Sequence, residues 1–297
     1  MLFKANAKIN LALDVLGERP NGYHDVKMIM QSVDLADYLE INPNDENRII
    51  INCDNNEIEC NESNLIYKAA TKIMDYVGKS FGVTIKLEKN IPIAAGMAGG
   101  STDAAATLVG INEVMGLGLS SKELRDIGVT FGADIPFCIE GGTYLSEGIG
   151  EILTKLPDMP ECILLIAKPD INVSTKFVYD NLVLDETTIH PDVDGMIEAI
   201  KKGSLTGVTG RMSNLLATVT EQEYKVIKRL KDICLEEGAL GSLMSGSGPT
   251  VFGVFDEMKD AKMAYAAIKN ELGLGQVYIS VPAKAGIEIM KGTKHNG

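Results

Sequence analysis

Asn90-Ile-Pro-Ile-Ala-Ala-Gly-Met-Ala-Gly-Gly-Ser-Thr-Asp-Ala-Ala-Ala-Thr-Leu108 joins an apolar, strand-like segment to an alanine-rich helix through a loop of glycines and hydroxyls. Gly96, Gly99 and Gly100 permit positive φ and let backbone N–H groups approach an anion with no Cβ in the way. Strong helix formers, Ala104, Ala105, Ala106 and Leu108, follow directly. The first N–H groups of such a helix have no intrahelical partner, and its dipole end is positive. Ser101 and Thr102 add hydroxyls able to donate to phosphate or to ligate a cation. The stretch therefore reads as an anion holder in which the helix terminus replaces the lysine of a P-loop, whose Gly-Lys-Ser/Thr ending is missing. An ordinary N-cap with a tight glycine turn is the plain alternative. A dinucleotide-binding fingerprint fits badly, because Gly-x-x-Gly-Gly is not Gly-x-Gly-x-x-Gly and the preceding strands read as antiparallel.

Working outward, a chain of 297 residues exceeds a typical single domain and predicts two units, each with its own core. Pro157-Asp-Met-Pro160 interrupts both strand and helix periodicity, so the expected units are 1–156 and 161–297. The net charge of −13 argues against a protein that grips nucleic-acid backbones, and it requires that any anionic substrate be met by local positive potential. The five cysteines are scattered without Cys-x-x-Cys spacing, which predicts free thiols and a cytoplasmic protein. No signal-peptide core or bilayer-length apolar run is found in the text, so no membrane partner is expected.

Before the loop, Phe3, Ala5, Ala7, Ile9, Leu11, Leu13 and Val15 alternate with Lys4, Asn6, Lys8, Asn10 and Asp14, as in a half-buried strand with a decorated polar face. Asn21-Gly22 marks a turn, and strands are expected over Val26–Leu35, Tyr38–Ile41, Ile49–Ile51 and Val83–Leu87. Ser63 is expected to cap a helix over Leu65–Val77, and further helices are expected over about Asp103–Met115 and from Ser120 to near Phe131. Gly141–Leu156 reads as paired short strands. The second unit repeats the grammar: strand Cys162–Ala167, helices Thr175–Leu182 and Val193–Lys202, a long helix at Asn214–Glu237, strand Gly241–Phe255, helix Lys259–Leu272 and strand Val277–Val281. This order predicts an α+β class with mixed or antiparallel sheets and helices packed on one face of each.

Two further segments carry chemistry. In Phe131-Gly-Ala-Asp-Ile-Pro-Phe137, a proline two residues on holds Asp134 in a turn among apolar neighbours. A carboxylate there needs a partner, and Lys8 on the first strand is a candidate, a turn-capping role being the alternative. Met244-Ser-Gly-Ser-Gly-Pro-Thr-Val-Phe252 exposes backbone at a strand mouth. His190 and His295 read as surface residues, Asp185–Asp194 as a solvated connector, and the methionines as core filler except Met97 in the loop.

Ala7-Lys-Ile-Asn-Leu11, Pro92 with Gly96–Asp103, and Ser245–Phe252 together resemble the motifs of the GHMP kinases, the superfamily of galactokinase, homoserine, mevalonate and phosphomevalonate kinases. The resemblance spans essentially the whole chain. Asn21-Gly-Tyr-His-Asp25 and Gly132–Phe137 are similar to a branch acting on a cytidyl diphosphate alcohol in non-mevalonate isoprenoid synthesis. What the resemblance implies is a two-domain fold and a kinase using ATP and Mg2+ on a small cytidyl diphosphate substrate, as monomer or homodimer. Lys8 and Asp134 match its catalytic pair. Asn64, Leu65 and Lys89 match the adenine end, and Pro92, Gly96, Met97, Ala98, Gly99, Gly100, Ser101 and Thr102 match the phosphate segment. Asn10, Tyr23 and His24 match the acceptor side, with Tyr23 stacked on cytosine and His24 bonded to its edge. Phe177 and Tyr179 compete to complete that stack, and Thr175, Gly246, Ser247 and Gly248 complete the acceptor site. Ser101 is the protein ligand expected for magnesium, with phosphates supplying most oxygens. Ala98 departs from a usual glycine and Thr102 from a usual serine. Another small-molecule kinase of the superfamily, or a nucleotide-binding regulator of the same fold, are the alternatives.

Overall fold

The computed structural model describes residues 1–290; His295 lies outside them. The first unit runs β1 (Leu2–Glu18), β2 (His24–Asn44), β3 (Ile49–Cys53), α1 (Leu65–Val77), β4 (Gly82–Glu88), α2 (Gly99–Val114), α3 (Ser121–Gly128), α4 (Ile135–Glu140), β5 (Thr143–Gly148) and β6 (Ile152–Lys155). The second runs β7 (Ile163–Lys168), α5 (Thr175–Asp180), α6 (Val193–Lys201), α7 (Leu205–Thr209), β8 (Ser213–Asn214), α8 (Ala217–Glu223), α9 (Lys225–Glu236), β9 (Gly241–Met244), β10 (Val251–Phe255), α10 (Met258–Leu272), β11 (Gln276–Ser280) and β12 (Ile287–Met290). The first sheet is mixed, in the order β12-β1-β2-β4-β3, with β5 and β6 continuing from β2 and β8 parallel to β1. The second is antiparallel, β11-β7-β10-β9. The last described strand thus returns to the first sheet, where Leu2 faces Met290 across β1 and β12.

The expected half-buried β1 is instead covered on both faces, and its strict alternation is broken. Register shifts against β2 fall at Asn6/Ala7 and Asn10/Ala12. The first skips Asp34 and Leu35 on β2 and the second skips Leu11 on β1, and such irregularities change which face the following side chains occupy. Phe3, Ala5, Leu13 and Val15 accordingly join the core beneath α1, α2 and α4, whereas Ala7, Ile9 and Leu11 join a second core with Ile166 of β7, Met196 of α6 and Phe252 of β10. The middle of β1 buries its apolar residues against the second unit. Lys8 and Asn10 are thereby turned toward the helices of the first.

Other expectations change for local reasons. Asn64, not Ser63, caps α1, its Oδ1 accepting from Ile66 N at 2.9 Å, while Ser63 Oγ donates to Asn61 Oδ1. The helix after Ser120 stops at Gly128, and a separate α4 follows with Pro136 in its first turn, where its missing N–H is harmless. The long helix expected over Asn214–Glu237 is β8, α8 and α9, broken where Tyr224 adopts extended φ −122°, ψ 94°. The expected strand Gly241–Phe255 is a hairpin, β9 and β10, whose connection is the glycine–serine segment. On β7, Leu164 and Ile166 face the inter-unit core and Leu165 and Ala167 face α9 and α10, so the continuous apolar run serves two layers.

Candidate active site

A cavity of about 1540 Å³ lies between the two units. That exceeds the roughly 300–1,000 Å³ of a pocket for one small ligand, so there is room for two. At its centre Lys8 Nζ stands 3.6 Å from Asp134 Oδ2, with the two side chains 7% and 33% exposed. Lys8 Nζ also donates to Asn10 Oδ1 at 2.8 Å. Asp134 occupies the N-cap position of α4, yet its side chain accepts no capping hydrogen bond. The turn-capping alternative is thereby removed, and the carboxylate is free to face Lys8. Burial, with the Asp134 charge adding, pushes the nearby Cys138 thiol well up, so it stays protonated.

At one end Gly96, Ala98, Gly99, Gly100 and Ser101 line the cavity at the mouth of α2. The loop is fastened to β1, with Lys8 N donating to Met97 O at 3.2 Å. Gly96 takes the expected positive φ, 71°, and meets a second requirement as well. A Cβ there would lie 2.3 Å from Ser245 O, so the loop packs backbone to backbone on the glycine–serine segment, where Ser245 Oγ donates to Gly96 O at 2.9 Å. Ala98 sits at φ 57°, ψ 29°, left-handed backbone that its methyl makes unfavourable. Two side chains of the expected phosphate segment point into protein instead. Met97 is buried in the inter-unit core, and the Thr102 hydroxyl is buried and donates to Asn6 O at 2.8 Å. Neither lines the cavity.

Asn64, Leu65, Lys89 and Pro92 border this end. Asn64 uses its amide in the cap and in a 2.8 Å bond to Glu59 O. The Lys89 side chain is buried and paired with Asp37, and with Asp103 at 3.1 Å. Burial alone would lower the Lys89 pKa, but Asp103 and Asp37 outweigh it and the net displacement is upward. Burial holds the Asp103 carboxyl well above the usual carboxylate range, Lys89 opposing it and Asp37 reinforcing it. Asp37 also accepts from Asn90 N at 2.6 Å and Ile91 N at 2.8 Å, so this triad joins β2, the exit of β4 and the first turns of α2.

At the other end His24 and Tyr179 stack with ring centroids 4.7 Å apart and planes inclined by 34°. Burial, with the Asp134 charge adding, pushes the Tyr179 phenol up to about 12, so it remains neutral. Tyr23 lines the cavity beside them on a tight turn. That turn is closed by Arg19 N donating to Tyr23 O at 2.6 Å and by the Arg19–Asp25 pair at 2.6 Å. Thr175 and Ser247 also line the cavity and meet through their hydroxyls at 2.9 Å. Tyr179, not Phe177, faces the site; Phe177 borders a second, smaller cavity. Gly246 lines the main cavity but Gly248 does not, being packed on the Met244 thioether.

Models of the GHMP kinases N terminal domain and C terminal domain match residues 64–142 and 196–273. A relative from Lachnoclostridium phytofermentans is 53% identical over 90% of this chain and 91% of its own; it is a 4-diphosphocytidyl-2-C-methyl-D-erythritol kinase. This chain belongs to the GHMP kinases. A crystal structure of 4-(cytidine 5'-diphospho)-2C-methyl-D-erythritol kinase superposes with a TM-score of 0.80 at 28% identity, covering 95% of this chain and 99% of that one. Homoserine kinase from Cytophaga hutchinsonii superposes with a TM-score of 0.81 at 20% identity, covering 98% and 97%, which shows the shared fold alone.

Several supports of this GHMP kinase site are absent from the sequence reading. Asn214 Nδ2 donates to both Met244 O and Gly246 O at 2.8 Å, and Thr220 Oγ1 donates to Ser247 O at 3.2 Å, so β8 and α8 hold the glycine–serine segment. Asp37 carried no motif signal, and Asp103 ends the glycine motif without a role that the sequence assigns to it. His190 is exposed, as expected, and its Nδ1 also lies 2.7 Å from Asp14 Oδ1, joining the connector to β1. Its partner is distant in sequence, and nothing local announces it.

Proposed function

We propose that the protein transfers the γ-phosphoryl group of ATP to the 2-hydroxyl of 4-diphosphocytidyl-2-C-methyl-D-erythritol, in non-mevalonate isoprenoid precursor synthesis. The observation that carries the reading is the order along one cavity: amides at the α2 mouth, then Lys8 and Asp134, then the His24–Tyr179 stack. The ATP phosphates lie on the loop Gly96–Ser101 and the adenine on the Asn64, Leu65 and Pro92 side. The cytosine lies against Tyr23 and Tyr179, with His24 at its edge. On this reading the acceptor hydroxyl lies beside Asp134, which orients it and receives its proton. Lys8, beside the Asp134 carboxylate, steadies the charge that moves with the phosphoryl group. Such chemistry rests on positioning and charge compensation more than on covalent help.

Magnesium fits this site as a partner of the phosphates. Ser101, at the cavity face of the first turn of α2, would give it one hydroxyl oxygen, and the ion would screen the negative phosphate oxygens. Among the described residues no helix is long and apolar enough to cross a membrane, and a cytoplasmic enzyme of small molecules suits the reading. A coupled ADP-release assay across the cytidyl-methylerythritol substrate, homoserine and mevalonate tests it. Turnover confined to the cytidyl substrate is expected. Preference for another alcohol would replace the acceptor assignment, and absence of turnover with every alcohol would leave a nucleotide-binding regulator.

A further inference from the structure

A chain with a net charge of −13 that takes two polyphosphate ligands in one cavity depends on its local cations. Among the described residues, the lysines lining that cavity are Lys8, Lys89 and Lys176. Lys8 is engaged by Asn10 and Asp134, and Lys89 is enclosed by Asp37 and Asp103. Lys176 is held differently. Its ammonium meets Asp180 at 2.6 Å in an i,i+4 pair whose side chains are 81% and 54% exposed. Exposed pairs of this kind are weak, so an incoming phosphate can displace Asp180 with little loss.

The helix α5 places that cation along the acceptor. Thr175, Lys176, Tyr179 and Asp180 border the cavity, while Val178 is buried in the core. Thr175 meets Ser247, and the neighbouring Gly246 lies against Asn10, the partner of Lys8. One turn along the helix, Tyr179 stacks on His24. The helix thus runs from the reacting end of the cavity to the aromatic end. In a cytidyl diphosphate alcohol the diphosphate is the link between those two ends.

We infer that Lys176 receives the diphosphate of the acceptor substrate, exchanging Asp180 for it, an inference that rests on the cytidyl diphosphate reading above. The test compares CDP with cytidine by calorimetric titration, the donor half being filled with a non-hydrolysable ATP analogue. Wild type should bind CDP more tightly than cytidine. Lys176→Gln should weaken CDP by about tenfold, as expected for loss of a charge-assisted hydrogen bond, and leave cytidine unchanged. Lys176→Arg should retain most of the CDP affinity. With the full substrate, Lys176→Gln should raise KM and leave kcat nearly constant. An unchanged CDP-to-cytidine ratio in Lys176→Gln, an equal loss of both ligands, or no preference for CDP in wild type would each overturn the assignment. If wild type prefers CDP through Lys176 yet does not phosphorylate the cytidyl substrate, the activity reading falls and the Lys176 assignment stands.

Discussion

Two lysine–aspartate constellations border the same cavity, and they are built to opposite ends. Lys89 is shut between Asp37 and Asp103, all buried, with backbone amides completing the Asp37 shell. Lys8 and Asp134 are held apart at 3.6 Å, with Asp134 open to the cavity. A buried set of mutually paired charges acts by fixing the elements that carry it. A loose pair with one exposed member keeps hydrogen-bonding capacity for a reacting group. On the proposed reading the same residue types do positioning in one place and chemistry in the other, and the difference lies in burial and in how many partners each atom already has.

Substitutions should separate the two. Asp134→Asn is expected to lower kcat by about 10²–10⁴-fold, the range for losing a general base, with ATP binding and thermal midpoint nearly unchanged. Near-normal turnover in a steady-state assay would remove Asp134 from the reaction. Lys89→Met should do the reverse, destabilising the fold by about 3–5 kcal/mol because two buried carboxylates lose their cation. Denaturant unfolding reads this directly, and a loss confined to kcat would refute the positioning role.

Asp103→Asn sharpens the contrast within the triad, with a smaller loss than Lys89→Met. Asp103 has a raised pKa in the folded state. Its contribution to stability is therefore complete below the ordinary carboxylate range and is lost as pH rises through its own higher pKa. The Asn variant lacks that dependence, so its unfolding free energy should improve relative to wild type as pH rises. A gap that widened against the variant with rising pH would reverse the assignment. At the aromatic end, Tyr179→Ala should weaken the cytidyl substrate by about 1–3 kcal/mol, read as KM, with little change in the KM for ATP. The smallest effect belongs to the loop itself: Ala98→Gly should relieve about 1 kcal/mol of left-handed backbone strain, visible as a raised melting temperature.

Much of the site was legible because its requirements are local. The α2 mouth is announced by glycines followed by alanines, and the Lys8 strand by alternation. Lys8, Asn10, Tyr23, His24 and Asp134 are brought to one cavity. The side chains of Met97 and Thr102 lie away from the cavity for a common reason. Membership of a loop says nothing about which side of it a side chain occupies, and both are turned into protein. Ser63 and Asn64 are both good caps, and the choice between them depended on the preceding loop, where Asn61 had already engaged the serine.

By itself the sequence determined the elements: a glycine loop opening a helix of good formers, strands of alternating character, and the residue types needed to move a phosphoryl group. Only the tertiary structure decided the faces. The parity of side chains along β1 depends on unmatched residues in its pairing with β2, and those register shifts are a property of two strands together. Without them Lys8 would follow the alternation set by Phe3 and Ala5 and point away from α4. Tertiary packing also gave Lys89 its two carboxylates and Gly96 its contact with Ser245: Asp37 and Asp103 reach Lys89 from distant elements of the first unit, and Gly96 meets Ser245 only when both units are assembled.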